Sequence, residues 1–176
     1  MFRNRRLLNA AGAAACIAML LYALYAQYVL RLEPCPLCMF QRVTVLALGI
    51  VFALAAIHHP RRWGAYLYAV LIAVAALATI GLAARHLYIQ SLPPGAVPAC
   101  GAPLDALVRM FPLTEVIRKV LRGGGECALV NWRFLGIAMP AWVLLCAAVL
   151  GTIGVLANLL LVEPQRHGPH QARSAA

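Results

Sequence analysis

LLNAAGAAACIAMLLYALYAQYVL, residues 7–30, runs for 24 consecutive positions without a formal charge. At 1.5 Å per residue this stretch is long enough to cross a hydrocarbon core of about 30 Å. A basic head containing Arg3, Arg5 and Arg6 precedes it. A cleaved secretory signal has an apolar region of only about 7–15 residues followed by a small-x-small site. Here the run is longer and its best candidate site, around Ala26, is poor, so a retained first span is expected.

Three more runs of this kind follow. The second, residues 36–57, starts after the break Arg31-Leu32-Glu33-Pro34 and is interrupted by Gln41 and Arg42. His58-His59-Pro60-Arg61-Arg62 ends it. The third covers residues 63–84 and is bounded by Arg85 and His86, with Tyr88 at the expected interface. The fourth covers residues 139–162. Pro140 suits its first turn, where a missing N–H costs nothing, and Trp132 and Trp142 suit an aromatic belt.

Composition agrees with this reading. Of 176 residues 64% are hydrophobic and the mean hydropathy is +0.83, whereas an ordinary soluble domain is about 45–50% apolar. The expected fold is all-α, an integral membrane four-helix bundle forming one domain over residues 1–176. Its longest connection would be the loop at 85–138.

That loop is rich in turn residues, among them Pro93, Pro94, Pro98, Pro103 and Gly123-Gly124-Gly125. It is too long for a mere connector, and such loops are usually functional. Within it residues 112–122 read as a short amphipathic helix. Leu113, Val116, Ile117, Val120 and Leu121 form its apolar side; Arg118, Lys119 and Arg122 form the polar side. It is expected to lie along the membrane surface; packing on the loop itself is the alternative.

The net charge of +10 first suggests a nucleic-acid partner. The basic residues instead sit at the ends of apolar runs and in loops, with no basic helix or aromatic-interleaved stripe, which speaks against nucleic acid and for membrane anchoring. Four spans put both termini on one side. The short segments on that side carry Arg3, Arg5, Arg6, Arg61, Arg62, Arg166 and Arg173, against Arg31 alone opposite. Positive charge marks the cytoplasmic side. The first loop and the long loop then face outward, into the periplasm if the membrane is an inner membrane.

Six cysteines divide on this topology. Cys35, Cys38, Cys100 and Cys127 fall on the oxidising side; Cys16 and Cys146 fall inside apolar runs. That division suggests disulfide chemistry outside and small inert side chains within. Cys35-Pro36-Leu37-Cys38 can close a small, strained disulfide ring of the readily reduced kind. Its place at a helix start favours thiolate. A structural bridge and a zinc half-site are the alternatives. A structural zinc needs four ligands, and Cys100 and Cys127 lie 27 residues apart with no second C-x-x-C, so no metal is expected.

Arg42 lies one turn deeper than Cys38 on the same helix face, about 10 Å into the span. A charge at that depth marks a functional site by default, although arginine near an interface can also snorkel. The functional reading is a partner for a Cys38 thiolate or for a reduced acceptor held in the bilayer. Gln41 adds a neutral donor and acceptor beside it. Topology brings His86 to the same depth as Cys38, as a hydrogen-bond or proton donor to a carbonyl acceptor or as an interfacial residue only. No haem, flavin or Fe–S motif is visible. A membrane-dissolved quinone needs none, and its carbonyls would meet Arg42 and His86.

Three segments carry a family resemblance. Glu33-Pro34-Cys35-Pro36-Leu37-Cys38 with Gln41-Arg42 resembles the C-x-x-C helix start of the disulfide bond formation protein B (DsbB) family. Cys127, Trp132, Phe134-Leu135-Gly136 and Met139-Pro140-Ala141-Trp142 resemble its approach to the last span, and Cys100 lies in a similar Pro-rich loop. The resemblance implies a membrane thiol:quinone oxidoreductase that reoxidises a periplasmic DsbA-like dithiol oxidase. It implies that Cys100 forms the mixed disulfide with that partner, that Cys127 exchanges with Cys35, and that Cys38 is released as the thiolate facing ubiquinone or menaquinone. Arg42 matches the family's quinone-site arginine, and His86 is similarly placed to its histidine. The family commonly has an acidic residue where this chain has Gln41. Vitamin K epoxide reductases place the C-x-x-C after the loop pair, the reverse of the order here. The rival from another class is a non-enzymatic membrane protein stapled by two structural disulfides.

Overall fold

A computed structural model describes residues 5–58, 62–93, 104–128 and 132–161. Cys100 lies outside the described residues. Four long helices dominate: α1 (Arg5–Tyr28), α2 (Pro36–His58), α3 (Arg62–Gln90) and α7 (Met139–Leu160). All four are long and apolar enough to cross a membrane. Three short helices, α4 (Leu104–Met110), α5 (Leu113–Arg122) and α6 (Gly125–Ala128), and a two-stranded hairpin, β1 (Arg133–Phe134) and β2 (Ile137–Ala138), lie between α3 and α7.

The long helices form a closed ring in the order α1, α2, α3, α7, with α3 against α7 and α1 against α2 as the broadest interfaces. At most 28% of the most apolar stretch of any span is buried in the protein. The outer faces carry Ile17, Leu21, Val43, Ile50, Val74 and Leu77, all exposed. Only lipid can solvate such a surface, so this is an all-α membrane four-helix bundle.

With lipid outside, helix association rests on close packing and polar contacts rather than on hydrophobic expulsion. Both are present. The Phe52 ring of α2 is 1% exposed and sits against two glycines. A Cβ on Gly12 of α1 would fall 2.9 Å from its ring, and one on Gly154 of α7 would fall 2.5 Å away. Three helices therefore meet around one aromatic ring because two of them present no side chain there. Near the N-terminal end of α1, Asn9 and Asn158 of α7 exchange amide hydrogen bonds of 3.3 and 2.9 Å, and Asn158 Nδ2 also donates to the Gly154 carbonyl at 2.9 Å.

The third helix is longer than its charge pattern predicts. It continues through Arg85 and His86 to Gln90. His86 is 2% exposed, inside the fold rather than at a free helix end. Arg85 Nε donates to the Leu121 carbonyl at 2.9 Å and its guanidinium lies over the Tyr88 ring at 5.2 Å. Partners on the loop thus carry the helix past the point where charge alone would end it.

Helix α5 falls where the amphipathic segment was expected. Val116 and Val120 are buried, while Leu113, Ile117 and Leu121 remain exposed. The buried pair joins Leu37, Ile89, Leu107 and two cysteines, Cys35 and Cys127, in an apolar cluster separate from the one around Phe52. One edge of α5 therefore packs over the cysteines, and a second apolar edge faces outward.

Candidate active site

The start of α2 builds the first half of the site. Arg31 adopts a left-handed conformation (φ 55°) after α1, turning the chain before Glu33-Pro34. Pro36 is the first residue of α2, where its fixed φ suits the helix and its missing N–H is no loss. Cys35 then stands in the cap position. Its Sγ accepts the Cys38 N–H at 3.4 Å, and its carbonyl accepts the Met39 N–H at 3.2 Å. The same geometry sets the Cys35 and Cys38 sulfurs 3.2 Å apart. Cys35 is buried and Cys38 is half-buried.

The second half comes from α3 and α6. His86 Nε2 lies 3.2 Å from the Cys127 carbonyl oxygen and Nδ1 lies 3.2 Å from Gln41 Nε2. A carbonyl can only accept, so Nε2 carries the proton; Nδ1 then accepts from the Gln41 amide. The ring is held as the neutral Nε2–H tautomer, with the Cys35 sulfur 3.7 Å from Nε2 and the Cys38 sulfur 3.9 Å from Nδ1. Gln90, one turn further along α3, places its amide nitrogen 3.5 Å from Nε2.

Cys127 sits on the single turn of α6, closed by its N–H to the Gly124 carbonyl at 2.9 Å. The residue is 1% exposed. It shares an apolar cluster with Cys35; that neighbour, and then burial, push its thiol well above the ordinary thiol range, partly opposed by the backbone N–H groups of Leu37 and Gly124. Cys127 is thus a neutral thiol set against Cys35, with its own carbonyl tied to His86.

Arg42 is anchored to α1. Its Nη2 donates to the Ala23 carbonyl at 3.0 Å, and Nη1 donates to Gln27 Oε1 and approaches Met39 Sδ at 3.9 Å. Rather than reaching out of the bilayer, the guanidinium stays beside the α1–α2 interface. Arg42, Cys38, Gln41 and His86 border a cavity of about 360 Å³ whose lining is mostly apolar and which is partly open. Met19 and Val143 contribute to its walls, as does Cys146, which faces this space and is not a fully enclosed filler.

Aromatic rings frame the cavity. Tyr22 meets Trp132 edge-on at 5.8 Å, Trp132 stacks on Phe134 at 5.9 Å, and Phe134 meets Trp142 at 6.0 Å. The hairpin turn at Leu135 (φ 52°) and Gly136 (φ 79°) supplies the fold-back that brings these rings together. Two positive φ values suit the right-handed strand twist of a two-residue hairpin. Trp142 Nε1 donates to the Phe134 carbonyl at 3.3 Å.

Four residues singled out in the sequence, Cys35, Cys38, His86 and Cys127, meet in one buried group, with Gln41 touching His86. Arg42 sits beside them on the cavity. Gln27 and Gln90 were not anticipated. Gln90 carried a readable signal, four positions after His86 on one helix face; Gln27 carried only that of an amide near the end of an apolar span.

Comparison with known proteins bears directly on this arrangement. The profile described as "Disulfide bond formation protein DsbB" matches residues 5–157. The chain belongs to the DsbB family. It is 49% identical over 144 residues to a disulfide bond formation protein B of Nitrosococcus oceani, covering 82% of this chain and 85% of that protein. It is 47% identical over 156 residues to one from Chromobacterium violaceum, covering 89% and 92% respectively. A Methylococcus capsulatus relative of the same description is 47% identical over 145 residues, covering 82% and 88%. DsbB membership and four apolar helices make this a multi-pass membrane disulfide oxidoreductase with a redox-active cysteine centre.

Proposed function

We propose that the chain is a thiol:quinone oxidoreductase of the inner membrane, built as one domain, which reoxidises a DsbA-like periplasmic dithiol oxidase. The observation that carries this is the placement of Cys127 against Cys35, with Cys38 on the far side opening to a cavity that holds Arg42. The bundle's two ends at α1 and α7 face the cytoplasm, and the cysteines face the periplasm, on the charge asymmetry of the short segments. The exposed edge of α5 rests in the membrane surface.

Each exchange step conserves one disulfide. A partner thiolate attacks Cys100 of a Cys100–Cys127 disulfide, forming a partner–Cys100 bond and releasing Cys127. Cys127 attacks Cys35 of the Cys35–Cys38 disulfide; a Cys35–Cys127 bond forms and Cys38 leaves as thiolate. The partner's second thiol resolves its own mixed disulfide and frees Cys100. Cys100 then attacks Cys127, restoring the loop disulfide and leaving Cys35 and Cys38 as the dithiol. Leaving-group acidity and access set these rates. The helix start beneath Cys38 stabilises its thiolate. His86 Nε2–H holds the Cys127 carbonyl, and so the α6 turn, in line with Cys35.

The cavity fits a quinone. Its walls are apolar, its volume suits a ring headgroup, and its polar groups, Arg42, Gln41 and His86, converge on one end beside Cys38. Arg42, Gln41 and His86 would hold a quinone there, and it would supply the acceptor for the two electrons and two protons of the Cys35–Cys38 dithiol. Arg42, fixed by Gln27 and Ala23, orients the carbonyl end and offers positive charge where negative charge develops.

Trapping tests the order of exchange. A reduced partner whose second thiol is replaced by serine cannot resolve its bond to Cys100. Peptide mapping of the parent chain under non-reducing conditions should then find a partner–Cys100 and a Cys35–Cys127 disulfide, with Cys38 free to alkylate. An intact Cys35–Cys38 disulfide beside a free Cys127 thiol would reject the route through Cys127.

A further inference from the structure

We propose that the dithiol state of this site binds a thiophilic d¹⁰ cation, of the Zn²⁺ or Cd²⁺ class, through Cys35, Cys38 and His86, and that such a metal arrests the enzyme reversibly in its reduced form. The site exists only when Cys35 and Cys38 are thiols, so the inference rests on the redox cycle proposed above.

Spacing along the chain argues against a metal, because one C-x-x-C supplies only two ligands. Folding changes the count. Among the described residues, one ligand atom each from Cys35, Cys38 and His86 fall within 4.8 Å of one another. The two sulfurs lie 3.2 Å apart, and the Cys38 sulfur lies 3.9 Å from Nδ1. In a tetrahedral site with Zn–S about 2.3 Å and Zn–N about 2.0–2.1 Å, ligand atoms lie about 3.5–3.8 Å apart. Small side-chain adjustments bridge the difference. Three protein ligands leave the fourth position to a water from the cavity.

The histidine is prepared for this role. Nδ1 holds the lone pair, while Nε2–H donates to the Cys127 carbonyl at 3.2 Å. A metal-binding histidine typically donates its second ring N–H to a carbonyl or carboxylate, which fixes the ring and its tautomer. Gln41, now on Nδ1 at 3.2 Å, needs only to swing its amide aside. Two of the three ligands are buried, Cys35 at 7% and His86 at 2% exposure. Cys35, Cys38 and His86 also border the open cavity, which gives an ion its path in.

Binding moves no electrons. Two thiols lose their protons to solvent as two thiolates bind, so occupancy strengthens with pH. A Cys35–Cys38 disulfide removes two of the three protein ligands, and the metal must leave before the dithiol can be reoxidised. The consequence is inhibition of turnover that a chelator reverses.

The test uses the full-length protein in detergent, reduced with a phosphine and freed of reductant, titrated with Zn²⁺ against a metallochromic indicator, with Cd²⁺ as the spectroscopic stand-in. Expected are one equivalent bound per reduced chain, a thiolate-to-Cd²⁺ charge-transfer band, and no binding by the oxidised chain. Cys38→Ser and His86→Ala should each weaken binding at least tenfold, while Cys16→Ala, in the other core cluster, should bind as the parent does. No binding to the reduced chain, equal binding to the oxidised chain, or unweakened binding in Cys38→Ser overturns the site. Turnover measured without metal keeps the two readings apart. Full turnover with no metal binding rejects the metal site alone; metal binding without turnover rejects the electron relay and leaves the site standing.

Discussion

The Nε2 nitrogen of His86 lies 3.2 Å from the carbonyl oxygen of Cys127, 41 residues later in the chain. This one hydrogen bond ties the last turns of a long apolar helix to the short helix that carries Cys127. It joins a histidine on the cavity wall to a cysteine that shares an apolar cluster with Cys35.

Removal of the bond should slow exchange without dismantling the bundle. His86→Ala leaves the buried Cys127 carbonyl without a donor, at a cost of about 1–3 kcal/mol, or about 5- to 150-fold in the population of the docked turn. The rate of Cys35–Cys127 disulfide formation on adding a reduced partner that lacks its second thiol, followed by quenched alkylation, should fall by that factor. His86→Gln, which keeps an N–H donor, should fall less.

Arg42 should act on the acceptor and not on thiol exchange. A lost hydrogen bond to a charged group costs about 1.5–3 kcal/mol, so Arg42→Ala should raise the apparent quinone KM at least about tenfold while the KM for the reduced partner stays put. Gln27→Ala loosens the anchor of the guanidinium only and should raise the same KM by a smaller factor, about fivefold. Steady-state kinetics with each substrate varied in turn checks both. An unchanged quinone KM in Arg42→Ala would remove the arginine from the site.

The Cys127 thiol offers a pH-dependent readout. Contact with Cys35 is the largest cause of its raised pKa, ahead of burial. Cys35→Ala should therefore lower that pKa toward the ordinary value of about 8.5, increase the thiolate fraction at a given pH, and speed alkylation of Cys127 at pH 8. The linkage has a definite sign. A thiol whose folded pKa lies above its unfolded one contributes stability fully present below about pH 8.5. That contribution is lost as pH rises toward the folded value. Docking of α6 should loosen in alkaline buffer, and less so in Cys35→Ala. Mass-spectrometric alkylation rates across pH report both effects.

Asn9 and Asn158 set the expectation for the opposite end of the bundle. Asn9→Ala strands a buried amide between α1 and α7, as does Asn158→Ala. Interhelical hydrogen bonds in membranes show coupling of about 0.6 kcal/mol on average, up to about 1.7 kcal/mol. A double-mutant cycle of unfolding free energies in micelles should fall in that range, with the double variant less unstable than the sum of the singles. Turnover should follow stability, because neither residue touches the cysteines.

Much of this architecture is readable from residue order. Four runs of more than twenty apolar residues leave few alternatives to four spans, and Arg42 one turn below Cys38 follows from helical period alone. The end of α3 was less legible. Arg85 and His86 look like a helix terminus because charge usually means interface, but their hydrogen-bond partners, Leu121 and Cys127, are more than thirty residues away in sequence. The hairpin from Arg133 to Ala138 is too short to leave a periodic signal, although Leu135-Gly136 now explains how Trp132 and Phe134 come to frame the cavity. The Asn9–Asn158 pair could not be foreseen, since an asparagine in a span shows that a partner is needed without showing which.

In the proposed relay, electrons enter at the Cys100–Cys127 pair and leave through Cys38 to a quinone in the adjoining cavity. The most direct measurement is quinone reduction, followed optically, by the purified protein supplied with a reduced thioredoxin-like partner. The parent protein should reduce one quinone for each partner dithiol oxidised, and Cys38→Ser should fall to background. Undiminished quinone reduction in Cys38→Ser would contradict the account.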